Sequence, residues 1–335
     1  MMAERIARMV LGGVLALVLV VTAAALLPGL WRGDAAAQVI EIHARMPEQG
    51  GWSVESLQAR TGQPLRLRLT SDDVVHGFAV GLLDHPEVVL RPGKWEEVTL
   101  TLDRPGRYTY YCTRWCGANH WRMRGTIEVS GPGPTEPPAG PPLYVRLGID
   151  IDAPHEAEAI PASPPAAERG AALAERIPAA YQSPEAYQTY SPAQLFTRLR
   201  NEPGLRDLDD AALWDIVAYL WARQTSPERL KSAAQRYAQN CAACHGETGQ
   251  GDGVMVAGLP AYDHTGGMSG RTRPPDFTDP RGLLGASPAL LKGKIQRGGM
   301  GTGMPYWGPL FTEEQMDDLV AYIYQFAWRG RSAHP

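Results

Sequence analysis

The sequence predicts a multidomain chain of 335 residues: an N-terminal transmembrane helix, an all-β sandwich, and then all-α domains. Three observations carry that reading. Between Arg8 and Arg32 stand 23 uncharged residues, enough to cross a hydrocarbon core as one helix. Over residues 38–131, short runs alternate apolar and polar residues between turn signals, the period of half-buried strands. Beyond residue 166, helix-start signals replace the alternation.

The membrane anchor is assigned to residues 1–37. Arg5 and Arg8 precede the apolar run, so the N-terminus is expected to stay in the cytoplasm and the remainder to be exported. A cleaved signal peptide ending at "AAA", residues 35–37, is the rival reading. A signal core is about 7 to 15 residues long, and this run is longer, which favours a retained anchor.

Residues 38–131 form the predicted sandwich. Leu65, Leu67 and Leu69 alternate with Arg66 and Arg68 in "PLRLRLT", and Val98, Leu100 and Leu102 repeat the pattern in "EVTLTL". "GTIEVSG" closes the set. Two "RPG" turns, at 91–93 and 104–106, hold Pro then Gly in the order of a type II turn.

Residues 132–166 read as a Pro-rich linker. Half of "GPGPTEPPAGPP", at 131–142, is proline, which lacks the backbone donor and fixes φ, so the stretch is semi-rigid. Helical segments follow at 167–230 and 231–335. Ser191-Pro192-Ala193-Gln194 supplies an N-cap, a first-turn proline and a capping-box glutamine. Ser226-Pro227, Ser287-Pro288 and Thr312-Glu313-Glu314-Gln315 mark further starts.

An internal repeat links the two helical segments. "SPAQLFTRLR" at 191–200 matches "SPALLKGKIQ" at 287–296, and "DDAALWDIVAYL" at 209–220 matches "TEEQMDDLVAYI" at 312–323. The second copy is longer by a stretch that falls within "GGMGTGMPYWGPLF".

The net charge of −4 excludes a generally basic nucleic-acid binder. Residues 132–230 hold 14 acidic against 8 basic side chains, a net of −6, so the acidic excess sits in mid-chain. Such a face can attract a basic partner or simply be a solvated helical surface.

Two clusters carry chemistry. The first is "YYCTRWCGANHWRM", where Cys112 and Cys116 are followed by His120 and Met123. An exported cysteine pair could be a disulfide, but thiolate, thioether and imidazole donors together select copper. His76, in "DDVVHGF", lies after a predicted strand and can converge from a neighbouring loop. One cysteine suffices for a mononuclear copper site; two point to two metals bridged by both sulfurs. Zinc is the weaker rival, because methionine is a poor reason for zinc.

These residues resemble the C-x3-C-G-x-N-H-x2-M loop of the CuA domain in subunit II of haem–copper oxidases, and "DVVHGFAV" resembles its upstream histidine segment. The resemblance covers about residues 38–130 and implies a cupredoxin fold with a binuclear CuA centre. It implies bridging by Cys112 and Cys116, terminal ligation by His76 and His120, a weak bond from Met123, and a backbone carbonyl ligand from Arg114. Many family members have Glu at that position, so the Arg114 side chain departs from the pattern where partners dock. Trp115 and Trp121 flank the ligands and mark either an electron-entry face or the packing of a loop tip. His43, His85 and His264 lack companions at ligand spacing and read as surface or turn residues.

The second cluster, "YAQNCAACHGETGQGDG", carries C-x-x-C-H, the attachment signature of one covalent haem c. Cys241 and Cys244 would form the thioethers and His245 the proximal bond. Met304, in a Gly-rich loop between two predicted helices, is the sixth-ligand candidate, ahead of Met300, Met255 and Met268. Residues 231–327 resemble class I cytochrome c, including "PPDFTDP" and "LVAYIYQF". Residues 167–230 then read as a haem-less relict of a duplicated cytochrome c, with an unrelated helical spacer as the alternative.

The resemblance implies the electron-entry subunit of a cytochrome c oxidase: single-pass in the plasma membrane of a prokaryote, with its C-terminal domains extracytoplasmic. Electrons would pass from haem c to CuA and on to catalytic subunit I, which reduces oxygen. The donor would be a soluble cytochrome c or a quinol-oxidising complex. This chain itself offers no catalytic residue. A CuA-bearing subunit of a nitric oxide reductase and a free-standing membrane-anchored carrier are the alternative functions.

Overall fold

The computed structural model describes residues 39–83, 85–117, 119–134, 140–259, 273–299 and 302–329. The anchor assigned to residues 1–37, together with His264, Met268 and Met300, lies outside them. Among the described residues no helix is long and apolar enough to cross a membrane.

The β region is a sandwich. One sheet holds β1 (Ile40–Ala44), β3 (Pro64–Ser71) and β6 (Glu96–Thr101) in the order β1-β3-β6, parallel and then antiparallel. The other runs β2-β8-β7-β4-β5, from β2 (Ser56–Arg60), β8 (Arg124–Ser130), β7 (Gly106–Tyr111), β4 (His76–Val80) and β5 (Val88–Leu90). The period-two reading of β3 holds: Leu65, Leu67 and Leu69 are buried, while Arg68 reaches outward to Glu41 at 2.7 Å. Opposite them pack Leu57, Phe78, Tyr110 and Ile127. Trp52 meets Phe78 and Tyr110 edge-on, with centroids 5.8 and 5.6 Å away.

The two "RPG" turns differ. Gly93 has φ of +69°, and the Lys94 amide returns to the Arg91 carbonyl at 3.0 Å, the type II pattern. Gly106 has φ of +148° and already opens β7, paired with Val129, so the strand's extension overrides the expected turn.

The helical region comprises α1 (Leu143–Arg146), α2 (Ala167–Ala171), α3 (Pro184–Thr189), α4 (Pro192–Arg200), α5 (Asp210–Ala222), α6 (Pro227–Asn240), α7 (Ala242–His245), α8 (Pro280–Leu284), α9 (Pro288–Arg297) and α10 (Glu313–Arg329). The starts expected from sequence are made as hydrogen bonds. Ser191 and Gln194 form a reciprocal capping box, and Thr312 and Gln315 form another. Ser226 and Ser287 accept from the Arg229 and Leu290 amides.

Residues 167–230 and the following helices share one core. Phe196 stacks on Trp214 at 4.6 Å, while Trp221 on α5 touches both Tyr324 and Trp328 on α10. Buried Asp215 takes two bonds from Arg169 and one from the Ala166 amide, which pins α2 to α5. The Pro-rich stretch is itself tied down: Tyr144 lies over Gly293, and Arg297 grips Asp152 with two bonds of 2.6 Å.

Gly125 sets how closely β8 approaches β7, since a Cβ there would overlap the fully buried Tyr110 ring. Gly125→Ala is therefore expected to destabilise the chain by about 1–3 kcal/mol, seen as a lowered melting temperature of the β region by circular dichroism.

Candidate functional site

The first cluster forms at one end of the sandwich. His76 opens β4 and is completely buried. Cys112 follows β7 directly, and Arg124, next to Met123, begins β8. The ligand loop is thus a hairpin between paired strands, closed by the Cys112 amide donating to the Met123 carbonyl at 3.0 Å. Inside it, Asn119 takes the left-handed conformation at φ of +60° and leads into the short 3-10 turn His120–Arg122. Gly77 has no room for a Cβ, because Thr113 and Glu87 occupy that space. The close approach brings β4, and with it His76, against the loop.

The expected donors come together. Cys112 Sγ lies 3.7 Å from His76 Nδ1, and Cys116 Sγ lies 3.6 Å from His120 Nδ1 and 3.8 Å from Met123 Sδ. The ligand atoms of His76, Cys112 and Cys116 all fall within 4.8 Å of one another. Cys112 Sγ lies 3.2 Å from the Arg114 carbonyl oxygen, so the backbone faces the sulfur. Its side chain turns away and forms two bonds of 2.9 Å with Glu87. Metal bonds of about 2.0 to 2.3 Å at tetrahedral angles place ligand atoms about 3.5 Å apart. The soft donor set, at these separations, fits copper. No disulfide joins the four cysteines.

The electrostatics support a shared anion. Burial alone would raise the Cys112 thiol, but contacts with Cys116, His120 and His76 hold it well below the usual thiol range. The bond to Cys112, followed by burial, pushes Cys116 far up. The two thiols are thus shifted in opposite directions, so that losing one proton opposes loss of the other. Burial opposes charging of His76, yet its bonds to Cys112 and Asp73 outweigh that and raise its pKa.

Two supporting residues had little sequence signal. Asp73 accepts from the Met46 and Val74 amides at 2.6 Å and stands 2.7 Å from His76 Nε2. It fixes the ring so that Nδ1 faces the sulfurs. Its place three residues before His76 in "DDVVHGF" was the only hint. Trp52 donates its indole N–H to the Met123 carbonyl at 3.1 Å, 71 residues away, and no local pattern announces that contact. Outside the two clusters, the described histidines are engaged elsewhere: His43 pairs with Asp72 at 2.7 Å, His85 lies 2.7 Å from the Pro86 carbonyl, and His155 lies 3.2 Å from the Ala153 carbonyl.

The second cluster lies at the α6–α7 junction. Cys241 caps α6, and the short α7 carries Cys244 and His245, with the His245 amide bonded to the Cys241 carbonyl at 2.9 Å. Burial pushes Cys241 up to about 12 and raises Cys244. Burial also lowers His245 to about 4, which keeps the imidazole neutral. His245 Nδ1 is buried without a partner, and the ring stacks on Phe277 at 4.8 Å. Two thiols and a neutral imidazole on one turn, with an orphaned ring nitrogen, fit covalent haem attachment. Met304 is half-buried against the helical core in the α9–α10 loop, its amide held by Thr302 Oγ1.

Comparison with known proteins follows the same division. The family model "Cytochrome C oxidase subunit II, periplasmic domain" matches residues 55–130, and the model "Cytochrome c" matches residues 230–327. Cytochrome c oxidase subunit 2 of Thermus thermophilus is 38% identical over 80 residues, which make up 24% of this chain and 58% of that protein. A second Thermus thermophilus subunit 2 is also 38% identical over 80 residues, 46% of its length. The chain thus spans about half the length of these curated relatives. A cryo-EM structure of a heme-copper terminal oxidase dimer contains a chain that is 23% identical, with 36% of this chain and 97% of that one covered, at a TM-score of 0.25.

Asp73→Asn removes the charge that holds His76. It is expected to weaken copper binding about 10–100-fold, measured by competition with a copper chelator.

Proposed function

We propose that this chain is the electron-entry subunit of a haem–copper terminal oxidase. In this reading it is anchored in a prokaryotic plasma membrane by residues 1–37, with its C-terminal domains outside. It would accept electrons from a soluble cytochrome c or a quinol-oxidising complex and pass them from a haem c to a binuclear CuA centre. A separate catalytic subunit would then use them to reduce oxygen. One observation carries the reading: two thiols, two imidazoles and a thioether converge on one end of a β-sandwich, in a chain that also bears a C-x-x-C-H turn.

The residues divide the work. Cys112 and Cys116 would bridge the two coppers, with His76 and His120 terminal, Met123 a weak ligand and the Arg114 carbonyl completing the set. A copper pair supplies one-electron chemistry with little reorganisation, because the charge is shared across a rigid core. The protein's part is that rigidity. Burial of His76, the Asp73 carboxylate and the Trp52 bond to the Met123 carbonyl each fix a donor before metal arrives. Cys241 and Cys244 would hold the haem covalently, with His245 and Met304 as axial ligands. A thioether opposite histidine raises the potential, which suits a carrier.

The first test is metal content and spectroscopy. The wild-type chain is expected to bind two coppers, with hyperfine structure from two nuclei, and one haem. Cys116→Ser is expected to abolish the paired centre, and Met123→Leu to perturb its spectrum, each leaving the haem spectrum intact. One copper per chain with single-nucleus hyperfine structure would rule out the binuclear assignment. Assaying the isolated complex with oxygen against nitric oxide identifies the terminal acceptor.

A further inference from the structure

A proline-rich connection between two redox domains invites the picture of a tethered domain that swings. The seam between the sandwich and the helices argues otherwise. Ala79 and Tyr111 of the sandwich belong to the same buried cluster as Leu310 and Phe311 of the α9–α10 loop. The Leu82 amide donates to the Leu310 carbonyl at 3.1 Å. Gly81 is pressed so close that a Cβ there would come within 2.8 Å of Leu310 Cα. Gln239 on α6 reaches Glu87 at 3.5 Å.

Two contacts in this seam join the ligand-bearing loops themselves. Trp115, the residue before Cys116, donates its indole N–H to Met255 Sδ at 2.6 Å. The Met255 amide in turn donates to the Ala243 carbonyl at 2.8 Å, between Cys241 and Cys244. Arg124, the residue after Met123, donates to the Tyr306 carbonyl at 3.1 Å and lies 4.9 Å over the Tyr306 ring. Tyr306 is two residues from Met304. Each contact pair therefore sits beside a candidate copper ligand on one side and a segment of the candidate haem site on the other.

We propose that Trp115 and Met255, with Arg124 and Tyr306, are positioning residues that lock the two ligand-bearing loops together in a fixed dock. The inference rests on the electron-entry reading and adds to it the manner of transfer. With haem held by Cys241 and Cys244 and copper by the ligand loop, the step served would be a one-electron transfer between the two groups, in which no bond forms or breaks and no proton moves. Trp115 and Met255 hold the loops at constant separation for that step. The exposure of Trp115, 46%, places this latch at the rim of the seam, where either side chain can be truncated without opening a core.

The full chain in detergent, loaded with copper and haem, provides the test. Trp115→Ala and Met255→Ala are each expected to speed amide exchange at Leu82 and across residues 306–311 by about tenfold, the loss expected for one interdomain bond. Because both act on one contact, the double variant should exchange no faster than either single one. Flash-initiated electron equilibration between the two centres should be independent of viscosity in the wild type, and slower and viscosity-dependent in both variants. Unchanged exchange, strictly additive effects in the double variant, or viscosity-limited transfer in the wild type would overturn the dock. A wild-type chain lacking the copper and haem spectra would instead overturn the electron-entry reading, while the exchange measurements would still report on the seam.

Discussion

The hydrogen bond from the Cys112 amide to the Met123 carbonyl is the constraint on which the candidate centre depends. It continues the β7–β8 pairing by one further rung, so that both ends of the ligand loop are fixed by the sheet. Between those ends the chain must turn back within a few residues. Asn119 in the left-handed region and the 3-10 turn at His120 accomplish this, and together they deliver Cys116, His120 and Met123 to one side. The fifth side-chain donor comes from outside the loop. His76 arrives on β4 because Gly77 lets the strand lie directly against Thr113. A rigid sheet end with one imported imidazole is a way to build a site whose geometry does not depend on the metal.

The same logic extends outward from the donors. Asp73 and Trp52 touch no copper in any reading, yet each holds a group that would: the carboxylate orients His76, and the indole bonds the carbonyl of Met123. Both are buried or nearly so, where a polar contact is stronger and its loss costs more. The site is thus embedded in the sandwich core, between the Trp52–Phe78–Tyr110 aromatic cluster and the loop surface. The surface in turn meets the helical region through the α9–α10 loop, which also carries Met304. That loop is where the second copy of the internal repeat is longer than the first. The extra length serves two purposes at once, a methionine facing the helical core and a carbonyl row facing the sandwich.

Much of this was legible from local pattern. Leu65, Leu67 and Leu69 announced β3, and Ser191, Ser226, Ser287 and Thr312 announced helix starts that the structure shows as bonded caps. Local rules failed where a neighbouring element imposed its own geometry. The second "RPG" did not make the expected turn, because Gly106 was already committed to pairing with Val129. Residues 132–166, proline-rich and unpatterned, nevertheless contribute Tyr144 and Asp152 to contacts with α9. Such contacts depend on what the chain meets and leave no periodic trace.

The sequence by itself determined the chemistry available: four cysteines in two spacings, histidines and methionines beside them, and strands and helices to carry each set. Donor type and spacing are properties of the chain and survive any folding. Only the tertiary structure decided that the His76 ring, 36 residues from Cys112, turns its Nδ1 toward the sulfurs, and that Trp115 and Arg124 reach across to Met255 and Tyr306. Those are distances between residues remote in sequence, and they are fixed by the packing of whole elements, which no short window of sequence encodes.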